Sequence, residues 1–276
     1  MLHEEIKNFI KEADAILITS GAGMGVDSGL PDFRGNDGFW KAYPPIAKMG
    51  LSFSQMAQPK WFDKNPFLAW AFYGHRLNLY RDTIPHDGFK MLLDLVKSKN
   101  DNYFIFTSNV DGQFQKAGFS EDKIYEVHGS IHHLQCIKNC TKDIWSAKDT
   151  HIDVDMEEFL AKDIPQCIHC EDIARPNILM FGDWWWNGKR ASEQEARYNK
   201  WLKGIINNNK KLAIIEIGAG STIHTVRNEG EYYSKRYSNI KLIRINPKEP
   251  ELDGGDGFSI ACGGLDGIRK VLQDSI

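Results

Sequence analysis

Ala15-Ile16-Leu17-Ile18-Thr19-Ser20-Gly21-Ala22-Gly23-Met24-Gly25 is the stretch that sets the fold class. A short apolar run closed by turn residues reads as a buried strand of a parallel sheet. Three more runs have the same form: Tyr103 to Thr107 ending in Ser108-Asn109, Leu212 to Ile217 ending in Gly218, and Ile240 to Ile245 ending in Asn246-Pro247. Between them lie helical patterns. Phe89, Leu92, Leu93 and Val96 recur at i, i+3, i+4 and i+7, and Leu265, Ile268, Val271 and Leu272 nearly so. Strands alternating with helices predict an α/β fold, a doubly wound, Rossmann-like parallel sheet with helices on both faces. Ligands of such sheets sit at the carboxyl ends of the strands, where all four runs place polar residues or glycine.

Composition sets outer limits. The chain has 276 residues, enough for one large domain or one plus a small one. Its 34 basic and 37 acidic residues give a formal charge of −3, which argues against a nucleic-acid binder driven by bulk positive charge. Hydrophobic residues make up 42% and charged residues 26%, as in a folded domain rather than a disordered one. No apolar run is long enough to span a membrane, and the acidic start Met1-Leu2-His3-Glu4-Glu5 lacks the order of a signal peptide. A cytoplasmic protein in a reducing compartment is expected, where structural disulfides are rare.

Two stretches interrupt the alternation. Residues 36–86 hold 11 of the 32 aromatic residues and Pro44, Pro45, Pro59 and Pro66. They read either as a helical lid with an apolar inner wall or as a satellite core. Residues 130–175 carry four of the five cysteines: Cys136 and Cys140, then Cys167 and Cys170. Two close pairs can deliver four thiolates to one tetrahedral zinc, and a site closed by four sulfurs is structural rather than catalytic. Unpaired thiols or a redox pair are the alternative. With four sulfurs sufficient, His132, His133 and His169 are expected to stand aside, and Cys262 to be a small buried residue.

Four polar or glycine-rich segments sit at strand ends. Glycines in Gly21-Ala22-Gly23 let backbone amides approach a phosphate at a helix N-terminus, although Val26 replaces the last glycine of a strict G-x-G-x-x-G and a ligand-free turn reads the same way. Gly218-Ala219-Gly220-Ser221 is a second such turn, which strengthens the case for a dinucleotide. Asn109 and Asp111, in Thr107-Ser108-Asn109-Val110-Asp111-Gly112, serve a site or cap the next helix. His128, in Glu126-Val127-His128-Gly129-Ser130, is a candidate general base, since imidazole takes a proton near neutral pH.

These features, in this order from about Ile16 to Asn246, resemble the sirtuin family of NAD-dependent protein deacylases. Gly21-Ala22-Gly23 through Asp32-Phe33-Arg34-Gly35 is similar to the family's cofactor-binding segment, Thr107 to Asp111 to its nicotinamide and ribose segment, and His128-Gly129 to its catalytic pair. The cysteine spacing is similar to that of its structural zinc module. Pro176 to Asp183, with Phe181-Gly182, resembles its peptide-binding strand, and Ile245-Asn246-Pro247 its adenosine-ribose segment. The resemblance implies a discontinuous NAD-binding domain (1–35, 87–129 and 176–276), a helical acyl-pocket insertion (36–86) and a zinc module (130–175). It implies NAD as co-substrate, Zn2+ as a structural ion and the acylated lysine of a protein as substrate. NAD contacts are implied at Gly21, Ala22, Gly23, Asp32, Phe33, Arg34, Ser108, Asn109, Asp111, His128, Gly218, Gly220, Ser221 and Asn246, with Asn109 and His128 catalytic. The acyl oxygen would attack C1′ of the nicotinamide ribose and release nicotinamide. His128 would then act as base for a ribose hydroxyl, giving O-acyl-ADP-ribose.

Tyr73 and Arg76 stand three apart on one helix face. Family members that remove malonyl, succinyl or glutaryl groups carry a similar Tyr-x-x-Arg pair, because a guanidinium binds a carboxylate through two parallel hydrogen bonds and Tyr adds a donor. An acidic acyl group is therefore expected, an amphipathic helix with a solvated Arg76 being the other reading. The chain also departs from the family. Ser108 replaces the usual Gln, Ala219-Gly220 the usual Thr-Ser, and Thr225 a common Pro. Relatives that drift at these places transfer ADP-ribose, so mono-ADP-ribosyl transfer or NAD hydrolysis is the second reading. Trp184-Trp185-Trp186 reads as a wall of the substrate channel or as a contact patch.

Overall fold

The structure is a computed structural model that describes residues 2–32 and 35–272. Helix α1 (Leu2–Glu12) leads into β1 (Ala15–Ser20), and a 3-10 turn (Ala22–Ser28) follows. Five helices come next: α2 (Gly35–Ala42), α3 (Pro44–Lys48), α4 (Phe53–Met56), α5 (Lys60–Lys64) and α6 (Pro66–Asp82). Then come α7 (Asp87–Ser98), β2 (Tyr103–Thr107), α8 (Gln113–Lys116) and β3 (Ile124–Glu126). The cysteine segment contributes β4 (Gly129–Cys136), β5 (Trp145–Ser146), β6 (Val154–Asp155), β7 (Leu160–Ala161) and β8 (Ala174–Ile178). The chain ends with α9 (Lys189–Asn207), β9 (Leu212–Ile217), α10 (Thr225–Arg236), β10 (Ile240–Ile245), β11 (Gly257–Ile260) and α11 (Gly264–Leu272).

Six strands form one parallel sheet in the order β11-β10-β9-β1-β2-β3. The four apolar runs are its four inner strands; the edges β3 and β11 are too short to stand out in the sequence. Side chains alternate across each strand. Ile16 and Ile18 of β1, with Ile105, Ile215 and Ile243, face a core closed by α1, α7 and α11 through Ile6, Phe89, Leu92 and Ile268. Leu17, Phe104, Ile214 and Leu242 face the opposite core, closed by α9 and α10 through Tyr198, Leu202 and Val226. Both faces are covered, so the strands are mostly apolar instead of alternating with polar residues, and the buried charges of β9 and β10, Glu216 and Arg244, pair with each other at 2.5 Å.

The strand order reverses between β1 and β9, and the crevice of a doubly wound sheet opens at the carboxyl ends of such neighbours. The third core lies off the sheet. It joins Phe39, Tyr43, Phe62, Trp70 and Phe72 of the helical insertion to Ile131, Ile152, Phe159 and Ala174 of the cysteine segment. Trp70 Nε1 donates to the Ala174 carbonyl at 2.9 Å across this junction. Residues of α6 thus pack on strands from a segment far along the chain, in one continuous apolar cluster.

Candidate active site and metal centre

The two glycine turns meet at the switch point. Gly23 N–H donates to the Gly218 carbonyl at 3.0 Å, and Gly21 N–H to the Ile217 carbonyl at 3.0 Å. A Cβ on Gly23 would lie 2.6 Å from Gly218 Cα, and one on Gly218 2.4 Å from Gly23 Cα. Glycine is required here first for backbone against backbone. The sequence reads these glycines as room for a phosphate; what the structure shows is this packing of backbone on backbone. Asn109 fastens the same corner: its Nδ2 donates to the Gly21 carbonyl at 3.0 Å, and its backbone N–H to Thr107 Oγ1 at 3.0 Å. Its Oδ1 accepts no hydrogen bond among the described residues.

A cavity of about 770 Å3 opens over these turns. Gly21, Ala22, Gly23, Asp32, Ser108, Asn109, Asp111, His128, Gly218 and Gly220 line it, together with Tyr73, Arg76 and Phe181. Three residues singled out in the sequence do not line it. Asn246 is fully buried behind it, where Nδ2 holds the Ala219 carbonyl at 2.8 Å and Oδ1 accepts from Lys248 N–H and Glu249 N–H, both at 3.0 Å. Ser221 is turned to Glu249, whose carboxylate accepts from its hydroxyl and its N–H. Gly182 follows Phe181 with φ +69°. Phe33 and Arg34 lie outside the described residues.

His128 follows β3 and precedes the β4–β8 pair. Its carbonyl accepts from Leu179 N–H at 2.9 Å, which ties it to the segment ending in Phe181. Burial pushes its imidazole below the ordinary value, against an opposing interaction with the Ser108 backbone, so the ring is neutral and able to take a proton at neutral pH. Asp111 behaves oppositely. Burial pushes its carboxyl up to about 6, opposed by the Gln113 N–H, reinforced by Glu126 and opposed again by Arg76. Its Oδ1 accepts from Gln113 N–H at 2.9 Å, so it also closes the turn into α8.

Tyr73 and Arg76 meet inside this cavity from one face of α6. Arg76 is 6% exposed, and its Nε and Nη2 donate to Tyr80 Oη at 3.0 and 2.9 Å. Its guanidinium also lies 5.2 Å from the centre of the Phe72 ring and 5.9 Å from that of Phe53. The Tyr73 hydroxyl is buried and has no hydrogen-bond partner among the described residues. Leaving such a group unsatisfied costs about 1–3 kcal/mol. The sequence pattern singles out neither Tyr80 nor Phe53. Tyr80 lies four residues after Arg76 on the same helix face, a spacing that carries the signal; Phe53 comes from a separate helix and carries none.

The four cysteines converge. Their sulfurs all lie within 4.8 Å of one another, with 3.6 Å for Cys136–Cys170 and for Cys140–Cys167. Those separations are far above the roughly 2.05 Å of a disulfide. They are close to the roughly 3.8 Å between sulfurs set tetrahedrally at about 2.3 Å from zinc. The residues fit one structural zinc. The three nearby histidines stand outside the cluster: His169 pairs with Asp143 at 2.9 Å, His132 with the Asp111 carbonyl at 2.8 Å, and His133 is half-buried among other groups. Cys262 is half-buried, with part of it reaching the surface. Trp184 and Trp185 are 92% and 65% exposed, and none of the three tryptophans lines the cavity.

A parallel sheet with a glycine-built crevice at its switch point, a neutral half-buried histidine and a four-sulfur module defines a dinucleotide-type α/β protein with a structural metal site. The sequence profile of the Sir2 family matches residues 21–199, well over half of the chain. The chain belongs to the Sir2 family. It is 31% identical over 66% of its length to an NAD-dependent protein deacylase of Pyrococcus abyssi, and 34% over 59% to one of Leptospira interrogans. It is 27% identical over 87% of its length to a probable bifunctional ADP-ribose hydrolase/ADP-ribosyltransferase of Fusarium oxysporum. These alignments span 66%, 58% and 41% of the relatives' own lengths. The crystal structure of a Sir2 homolog–NAD complex superimposes with a TM-score of 0.76 at 20% identity, covering 99% of this chain and 93% of that one, which establishes the shared fold. No described helix is long and apolar enough to cross a membrane.

Proposed function

We propose that this protein is an NAD-dependent protein-lysine deacylase that prefers acidic acyl groups such as succinyl or malonyl. NAD would lie across the glycine turns of β1 and β9, with its nicotinamide end near Asn109 and Asp111 and its adenosine end toward the loop braced by Asn246. When bound, NAD supplies an activated ribosyl carbon and a leaving group. The protein supplies the rest. Neutral His128 accepts the proton of a ribose hydroxyl, Asn109 offers its Oδ1 to the same region, and the apolar walls from Phe53, Val110 and Met180 keep water out. Zinc at Cys136, Cys140, Cys167 and Cys170 would be structural. Thiols held this way fit a reducing, cytoplasmic setting.

The observation that carries the acyl preference is the pairing of the partnerless Tyr73 hydroxyl with the buried Arg76 guanidinium inside the same cavity as His128. A carboxylate there satisfies both donors. The test compares acetyl- and succinyl-lysine versions of one peptide, with nicotinamide and O-acyl-ADP-ribose identified by mass spectrometry. Succinyl removal should be faster, and Arg76→Met should cut its kcat/KM by about 10- to 100-fold, the worth of a charge-assisted pair. Faster acetyl removal that Arg76→Met leaves untouched would refute the preference.

One observation favours a second reading. The fungal relative named for ADP-ribosyl transfer aligns over 87% of this chain, against 66% and 59% for the two deacylases. An ADP-ribose mass added to protein, with no deacylated peptide, would decide for transfer.

A further inference from the structure

A second cavity, of about 400 Å3, shares His128 and Leu179 with the first. Its character is different. Tyr125, Tyr198 and Tyr233 line it with Glu195 and Glu229, and among the described residues no Lys or Arg does. Among the described residues, neither glutamate forms an ion pair. Glu229 accepts from the Tyr198 hydroxyl at 2.6 Å, which fixes its carboxylate in the wall. Burial raises Glu229, the Tyr198 hydrogen bond opposes this, and the charge on Glu195 raises it further; no cation offsets them. Two carboxylates that repel each other among aromatic rings are complementary to a cationic side chain, which gains both the ion pairing and the ring faces.

The placement says where that cation comes from. Two short rows of residues border both cavities. Leu179 lines both, with Ile178 and Phe181 in the first only; in the second row Ile223 and Val226 line the first and Thr225 the second. A chain lying along this shared border with one side chain in the first cavity presents a neighbouring side chain to the second.

We propose that the second cavity receives the ammonium or guanidinium of a lysine or arginine next to the acyl-lysine in the substrate protein. This rests on the first cavity holding acyl-lysine. It also fits a chain whose net charge of −3 gives little long-range steering toward basic substrates, so that recognition is local.

The test uses the full chain and fluorescently labelled acyl-lysine peptides of one sequence, with Lys, norleucine or Glu at each flanking position. Binding is read by anisotropy, with turnover measured in parallel. At one flanking position the Lys peptide should bind about tenfold tighter than the norleucine peptide, and the Glu peptide weaker than either. In E195Q/E229Q the Lys-to-norleucine ratio should fall to about one. Glutamine keeps an acceptor for the Tyr198 hydroxyl, and a ratio taken within one variant is insensitive to partial unfolding. Equal binding of all three peptides by the native chain, or a ratio that survives in E195Q/E229Q, overturns the inference. Absence of turnover on every peptide would instead overturn the deacylase reading, while the binding ratio would still report on the cavity.

Discussion

Replacing Gly218 by alanine tests the claim that the crevice is built by two backbones in contact. Gly218 has φ +64°, and a Cβ there would lie 2.4 Å from both Cα and C of Gly23 and 2.5 Å from Met24 N. All three are backbone atoms and cannot rotate away. Reaching an ordinary contact of 3.4 Å requires the turns to part by the difference from 2.4 Å, about 1 Å. The left-handed backbone costs alanine about 1 kcal/mol and the forced separation about 2 kcal/mol more, about 3 kcal/mol in all. Gly29 supplies the control: its φ is +85°, yet none of the described residues lies within 4 Å of a Cβ there. Gly29→Ala should therefore cost only the backbone part, about 1 kcal/mol. Urea denaturation of the two variants beside the native chain reads both numbers. NAD affinity should fall on the order of 100-fold in Gly218→Ala, since a 1 Å displacement of a binding wall has effects of that size, and little in Gly29→Ala. If Gly218→Ala is no less stable than Gly29→Ala and binds NAD equally well, the contact between the turns is not what shapes the crevice.

Three further outcomes are expected. Chelation, or Cys140→Ala, should remove one zinc per chain by elemental analysis and lower the melting temperature, whereas Cys262→Ser should do neither. Asp111→Asn should stabilise the fold at neutral pH. The carboxyl is raised to about 6, so its favourable contribution is present below the unfolded value near 3.8 and lost as pH rises through 6. The stability gain of Asp111→Asn over the native chain should thus grow from nothing near pH 4 to about 3 kcal/mol above pH 7, read from urea midpoints. His128→Ala should abolish turnover with an unchanged circular dichroism spectrum. In the native chain, the acid limb of kcat/KM should fall below the ordinary imidazole value of 6.5, because burial holds the ring neutral; a limb above 6.5 would contradict its assignment as the base.

Sequence alone determined the parallel sheet, because a strand covered on both faces must be apolar at every position, and Ala15–Ser20, Tyr103–Thr107, Leu212–Ile217 and Ile240–Ile245 are nearly so. It determined the four-cysteine set as well, since few other arrangements explain two close thiol pairs in a chain that needs no staples. Motif order brought the crevice residues to notice one segment at a time. Tertiary structure alone decided what those residues do to one another. Gly23 and Gly218 are nearly two hundred positions apart and need each other's missing side chain, a demand no local pattern records. Asn246 read as a contact residue and is a buried brace, because its amide is used up on the Ala219 carbonyl and two backbone N–H groups. The three tryptophans read as channel wall or contact patch. The chain turns Trp184 and Trp185 to solvent, and the wall of the first cavity is made instead by residues such as Phe53, Tyr73 and Arg76. Hydrophobic pattern and residue chemistry are local and can be read in order. Which polar groups end with a partner, and which, like the Tyr73 hydroxyl, are left waiting for one, depends on packing between segments far apart in the chain.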